Sequence, residues 1–339
     1  MRMKEIRNIL MATATLIMVF TMSSCIKENI ANDATDKVNV TLHFDTRADG
    51  TTSPVDTDNN EGIKTLRVVI ADADNNVIAN IWKDYSSDTK PDESKNLTII
   101  GLEPGNKNFY VVINEASLGL QDGWDGITIG KSLTDAFLQK VITNEENAIY
   151  FPKTSDDIAK QGIPATGKAS VTLTSEEDQS VTINCTHAVA KIVLNVTNHS
   201  GKPFTLQEVT FGEFFQQGTY LFDKEGGIPD NMKVAGGNFP GLKKEIAVTS
   251  ESGGTPTEAL VCYLFETGNQ MTEDKFTVAL DVEGMDFLKT PAKIQFNGSM
   301  QNQLPRGYML NLNAIVTGSE ITYGPVTVEP WKDRPIELE

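Results

Sequence analysis

Residues 38–44 read Val-Asn-Val-Thr-Leu-His-Phe, so Val38, Val40, Leu42 and Phe44 are apolar and the positions between them are polar. A two-residue period of this kind predicts a strand with one buried face. The segment 48–62 that comes next is rich in Asp, Thr, Asn and Gly and reads as an exposed loop. Strand signals then recur. Residues 63–71 are rich in β-branched side chains, Asp72 to Asn76 supply a turn, and 77–82 return, which predicts a hairpin. Residues 97–102 and 108–114 read as a second pair joined by Glu103-Pro104-Gly105. One helix is expected over 132–142, where Leu133, Phe137 and Val141 lie four apart and Ser132 with Asp135 resembles a capping box. Short strands at 149–151 and 169–174 complete this half.

The polar run 175–180 marks the expected domain boundary. The longest strand signal, 181–196, lies just beyond it. Val181, Ile183 and Cys185 share one phase, while Ala188, Ala190, Ile192, Leu194 and Val196 share the other. A switch near His187 predicts a bulge or a strand crossing between two sheets. Further strands are expected at 206–211, 245–248, 259–265, 276–282, 292–296 and 308–316. Many short strands separated by Gly- and Pro-containing turns predict β-sandwiches. The expected architecture is all-β, with two tandem β-sandwich domains over 38–175 and 176–339 and one short helix inserted in the first. In the tail, alternation returns at Val326 and Val328 and again at Ile336 and Leu338, around Trp331. Pro325, Pro330 and Pro335 lack a backbone donor, which suits an edge strand. Such a tail could pair with its own domain or with another molecule.

The head of the chain carries a different signal. Arg2, Lys4 and Arg7 precede an uncharged apolar run over residues 9–20, which is 12 residues long. A helix crossing a bilayer needs about 20 residues. Residues 1–24 therefore read as a cleaved secretory leader. Ser23-Ser24-Cys25 resembles the bacterial lipobox, which implies that Cys25 becomes the N-terminus and carries lipid such as palmitate. Acyl chains contribute about 0.8 kcal/mol per buried methylene, and two or more hold a protein on a membrane. Residues 25–37 would then be a lipidated tether, and Ile26-Lys27-Glu28-Asn29 resembles a signal for the outer face of the outer membrane.

Charge narrows the partners. The chain holds 29 basic and 46 acidic side chains; without Arg2, Lys4, Arg7 and Glu5 of the leader these become 26 and 45, a net charge of −19. That balance argues against nucleic acid, whose binding needs Lys and Arg on phosphates. It fits a self-repelling surface protein. Besides Cys25, only Cys185 and Cys262 occur, both in apolar surroundings. They could pair in an exported protein or lie free and buried.

Catalytic chemistry finds little support. His43, His187 and His199 are scattered, and no Gly-x-Ser-x-Gly nucleophile motif occurs. Asp56-x-Asp58-x-Asn60 and Asp72-x-Asp74-x-Asn76 start like calcium loops but lack the Gly and Glu that complete one. Acidic turns account for both. Trp82, Trp124 and Trp331 could stack on sugars, but scattered core or edge positions account for them better. No enzyme, metal site or cofactor is expected.

Several loose motifs, taken in order, resemble the fimbrillin family, the subunit lipoproteins of type V pili in anaerobic Gram-negative bacteria. They are the lipobox at Cys25, the early strand with Arg47 behind it, and Gly101-Leu-Glu-Pro-Gly105 leading into Phe109-Tyr-Val-Val-Ile-Asn114. Ile163-Pro-Ala-Thr-Gly167, Ala188-Val-Ala-Lys-Ile192, Phe204-Thr-Leu-Gln-Glu-Val209 and Val328-Glu-Pro-Trp331 extend the resemblance. It implies two transthyretin-like β-sandwiches and export as an outer-membrane lipoprotein. It also implies removal of the first strand by a protease cutting after an arginine. Here Arg47 would be the residue before the cut and Ala48 the new N-terminus. Val38, Val40, Leu42 and Phe44 would belong to the displaced strand. The donor refilling the groove of another subunit would be the tail, about residues 321–338, with Val326, Val328, Trp331, Ile336 and Leu338. Anchor subunits of this type keep their first strand. The implied partners are other pilin subunits, the outer membrane before processing, and a host or bacterial surface ligand. The competing expectation is a glycan-binding surface lipoprotein of the same architecture that does not polymerise.

Overall fold

The first strand lies in the middle of a sheet. The computed structural model of the chain describes residues 37–45, 62–86, 94–120, 124, 127–143, 153–154, 161–175, 178–223, 229, 232, 234–250, 254–267, 273–294, 303–324 and 326–330. In chain order the first part comprises β1 (Val38–Asp45), β2 (Thr65–Ala71), β3 (Val77–Asp84), β4 (Ser94–Leu102), β5 (Gly105–Ile113), a 3-10 turn at Glu115–Leu118, helix α1 (Asp135–Leu138), β6 (Val141–Thr143), β7 (Lys153–Thr154), β8 (Ala165–Leu173), β9 (Gln179–Asn184) and β10 (Thr186–His187). The second part comprises β11 (Ala190–Asn198), β12 (Phe204–Gln216), β13 (Gly218–Tyr220), β14 (Val234–Ile246), β15 (Thr257–Leu264), β16 (Thr277–Val282), β17 (Ala292–Lys293), β18 (Tyr308–Val316), β19 (Ile321–Tyr323) and β20 (Thr327–Pro330).

These strands make two sandwiches. In the first, a sheet ordered β4-β1-β9 packs on a sheet ordered β10-β8-β5-β2-β3. In the second, β7, β15, β11 and β18 form a sheet whose edge is completed by β19 and β20, and it faces β14-β12-β16-β17. The chain is thus all-β with a short α-helix in its first half. Inward positions alternate as the sequence pattern expects. Leu66, Val68 and Ile70 of β2 face the core of the first sandwich, while Val69 and Ala71 point out of its other face. Close backbone approach explains Gly212 inside the long β12: a Cβ there would lie 2.3 Å from the Lys275 carbonyl oxygen.

The structure corrects three expectations. The polar run 175–180 does not separate the sandwiches, because β9 lies beyond it and still pairs with β1. The chain leaves the first sandwich after β10, whose His187 is opposite Ala165 of β8. The switch of phase at His187 is the crossing: Ile183 and Cys185 face the first core, and Ala190 and Ile192 face the second. Next, β4 and β5 are not a hairpin. β4 pairs with β1 and β5 with β2 and β8, so Glu103-Pro104 carries the chain from one sheet to the facing one. A short turn with positive φ at Gly101 and Gly105 serves either connection, and periodicity does not distinguish them. Lastly, the helix is only Asp135–Leu138, with Thr134 at the N-cap position making no side-chain capping bond. Ser132 donates its hydroxyl to Asn76 instead, at 2.8 Å, and Val141 belongs to β6, which pairs with β13. The expected strand at 149–151 lies outside the described residues.

Cys185 and Cys262 do not form a disulfide and are both buried, the former in the core of the first sandwich and the latter in that of the second. Between the sandwiches lies a third apolar cluster. It is formed by the outer face of β2 and β5, the connection around α1, and the outer face of β11 and β15.

Candidate functional site

β1 is held from three sides. It pairs antiparallel with β4 from Val38↔Leu102 to Asp45↔Ser94 and parallel with β9 from Val40↔Gln179 to Asp45↔Asn184. Its alternation sends Val38 (2% exposed), Val40, Leu42 and Phe44 (each 0%) into the core, against β2 and β5. The outward side chains are polar and bond to the neighbours. His43 Nδ1 meets Asn96 Oδ1 at 2.6 Å and Thr41 Oγ1 meets Thr98 Oγ1 at 3.2 Å. A register shift opposite Val38 and Val40 accommodates Gly101, whose φ of 78° suits a residue without a Cβ.

Two properties make this strand unusual among the elements. It is the sole strand shared by β4 and β9, neither of which has another strand partner among the described residues. It is also the first of the described elements, so its removal severs no connection between the others. Neighbouring strands lie about 4.8 Å apart, so β4 and β9 without β1 would flank a slot about 10 Å wide. The floor of that slot would be Phe109 and Val111 of β5 and Val68 and Ile70 of β2, all buried. Burial of the four apolar side chains of β1 contributes about 1.5–3 kcal/mol each, or about 6–12 kcal/mol together. Both rows of backbone groups facing the slot would lose their partners, the condition that makes a sheet edge recruit another strand.

The tail is placed against its own domain as far as Pro330. β19 runs antiparallel along Ala314 to Val316 of β18, and β20 continues along Tyr308 to Asn311 of the same strand. Val326 is fully buried, and Val328, opposite Leu310, packs half-buried on the second core. Pro330 occupies the outer edge, where a missing donor costs nothing. Cys25, Arg47, Ala48, Trp331, Ile336 and Leu338 lie outside the described residues.

Other candidates resolve into structure. Asp72 closes the β2–β3 turn by accepting the Asn76 and Asp74 backbone N–H groups at 2.8 and 2.9 Å. The backbone bond from Asn76 is the main cause holding its carboxyl below the usual range. Among the described residues no group of His, Cys, Asp and Glu could hold a metal ion. Trp124 is 6% exposed and meets Phe137 edge-on at 5.7 Å, so it offers no sugar-stacking face. His187 is buried at the sheet crossing. Burial, and secondarily the charge of Lys191, pull its pKa from 6.5 down to about 3.

Sequence reasoning identified β1 and missed β9 as its second partner. The signal was present in the shared phase of Val181, Ile183 and Cys185, which matches the inward phase of β1. A parallel pairing between segments more than a hundred residues apart leaves no local mark.

Comparison with known proteins agrees with this architecture. Residues 34–187 match the family model described as major fimbrial subunit protein (FimA), and the match ends at the last residue of β10. Among solved structures, a protein from Parabacteroides distasonis, provisionally named a cell adhesion protein, superposes with a TM-score of 0.56 at 14% identity, over 90% of this chain and 99% of that one. The tip fimbrial protein Mfa3 from Porphyromonas gingivalis, with a C-terminal truncation, superposes with a TM-score of 0.54 at 15% identity, over 86% and 100%. The fimbrilin FimA from Porphyromonas gingivalis W83 gives 0.53 at 12% identity, over 88% and 99%. No curated protein sequence matches.

Proposed function

We propose, for a chain whose residues 34–187 belong to the major fimbrial subunit (FimA) family, that this fimbrial subunit assembles by exchanging its first strand for the tail of a neighbour. The family is one of structural subunits of cell-surface fimbriae, not of enzymes, and other fimbrial subunits are the partners it implies. In this reading the chain is exported as a lipoprotein on Cys25 and held at the outer membrane. Hydrolysis of the Arg47–Ala48 peptide bond then frees β1, and a second subunit's tail enters between β4 and β9.

The observation that carries the proposal is the position of β1: an inner strand at the head of the chain, with four buried side chains, shared by two strands that have no other pairing among the described residues. Magnitudes favour the exchange. Refilling four pockets returns about 6–12 kcal/mol, whereas lifting the buried Val326 and the half-buried Val328 off the donor's own second core costs about 2–4.5 kcal/mol. Strand addition also restores the backbone ladders on both sides of the slot. Because head and tail lie on different sandwiches, the contact is head-to-tail, and such a contact, where it does not close into a ring, makes a filament.

Fimbriae from cells carrying Arg47→Ala test the processing step. The subunit from unmodified cells is expected to begin at Ala48, and the variant to be incorporated at least about tenfold less. Normal amounts of polymer built from uncut Arg47→Ala subunits would overturn the proposal.

A further inference from the structure

The third apolar cluster joins the two sandwiches, and its construction bears on what the first sandwich does once β1 has left. Phe137 of α1 stands at its centre. Its ring lies 5.6 Å from Tyr110 of β5, 5.7 Å from Trp124 and 5.3 Å from Phe222, centroid to centroid. Tyr110 belongs to the first sandwich and Phe222 to the segment after β13, so one side chain bridges both. Tyr263 and Phe265, at the end of β15, are buried in the same cluster.

Backbone ladders tie the connection around α1 to the second sandwich as well. Val141–Thr143 of β6 pair with Gly218–Tyr220 of β13, and Lys153 and Thr154 of β7 pair with Tyr263 and Cys262 of β15. Leu221 N–H donates to the Lys140 carbonyl at 2.7 Å, and Thr166 of β8 donates its hydroxyl to the Leu221 carbonyl at 2.9 Å. The segment carrying Phe222 is itself fixed by Arg306. Its guanidinium donates to the Tyr220 carbonyl at 2.6 Å and forms a buried ion pair with Glu266 at 2.8 Å.

The two sheets of the first sandwich therefore depend on different supports. The sheet β4-β1-β9 is held together by β1. The sheet β10-β8-β5-β2-β3 does not contain β1, keeps all its ladders without it, and has Val69 and Ala71 of β2, Val77 of β3 and Val112 of β5 on its outer face buried on the third cluster. We infer that the cluster centred on Phe137 is a scaffold that keeps the five-stranded sheet folded, and its groove ready to accept a strand, while the subunit lacks β1. The inference rests on the exchange reading above. It assigns to the connection around α1 a task that reading leaves open: carrying the open subunit from processing to assembly without unfolding.

The test needs no native processing. In the full chain, Leu42→Asp with Phe44→Asp places two carboxylates at core positions and keeps β1 from docking. Amide hydrogen exchange then reads each strand separately. Protection in β4 and β9 is expected to fall by about a hundredfold or more, while β2, β5 and β8 stay within about tenfold of the unmodified chain. Adding Phe137→Ala to the same chain is expected to abolish protection in β2, β5 and β8 too, although Phe137→Ala alone keeps a folded circular dichroism spectrum. If Phe137→Ala alone does not fold, Phe137→Leu takes its place. Equal loss in both sheets without the Phe137 change would overturn the inference, as would protection in β2, β5 and β8 that survives it. Retained protection in β4 and β9 would also overturn it, since β1 would not then be what holds that sheet. Because these variants bypass the cut at Arg47, a failed processing test and a failed scaffold remain distinguishable.

Discussion

His187 shows how one residue records a topological event. It ends β10, where the chain passes from one sandwich to the other, and its imidazole is buried with Lys191 four residues on. A pKa of about 3 in the folded protein, against 6.5 normally, means that the folded state refuses a proton that the unfolded chain accepts. Stability is therefore unaffected above about pH 6.5 and falls as the pH drops towards 3. Urea unfolding from pH 7 to 4 is expected to show a loss that His187→Gln reduces by at least about 1 kcal/mol at pH 4; identical slopes in both proteins would contradict this. The sequence showed the change of phase here, because alternation is local. It did not show Asn114, whose backbone is left-handed (φ 56°) and whose buried amide bonds Lys64 N, Thr65 N, Gly62 O and Ile163 O at 2.8–3.2 Å. That role joins segments about 50 residues apart, which no spacing rule encodes.

At the scale of elements, strands with a clean two-residue period were legible and their partners were not. β1 and β18 occupy the expected stretches almost residue for residue. The first half of β14 escaped notice because Val234-Ala-Gly-Gly-Asn-Phe-Pro-Gly contradicts strand propensity. It is tolerated because β14 is an edge strand, where Pro240 needs no outer partner. The tail poses the same question of partners in sharper form, since alternation at Val326 and Val328 suits either its own sandwich or a neighbour's groove. Its docking on β18 predicts a contrast. Val326→Asp, at a fully buried position, is expected to destabilise the second sandwich by about 3 kcal/mol or more, and Val328→Asp, half-buried, by about 1 kcal/mol. Denaturant titration of the two variants checks this, and equal small effects would mean that the tail does not rest on β18 in solution.

For the whole molecule, the sequence revealed the fold class and the buried face of β1, but neither the third core nor the true passage between sandwiches. Tyr110, Phe137 and Phe222 come from three distant segments, and each reads locally as an ordinary apolar position. Only their convergence shows that β2 and β5 of the first sandwich rest on an apolar support that contains no residue of β1. The direct test is the fate of that strand. Trypsin cuts after Lys37 and Arg47, so the ten residues 38–47 form a single peptide suited to quantitative mass spectrometry. In fimbriae sheared from cells this peptide is expected to be depleted at least about tenfold relative to peptides from β11 to β18, and in subunits not yet assembled to be present in equal amount. Equal amounts in the polymer would contradict strand removal as the trigger of assembly.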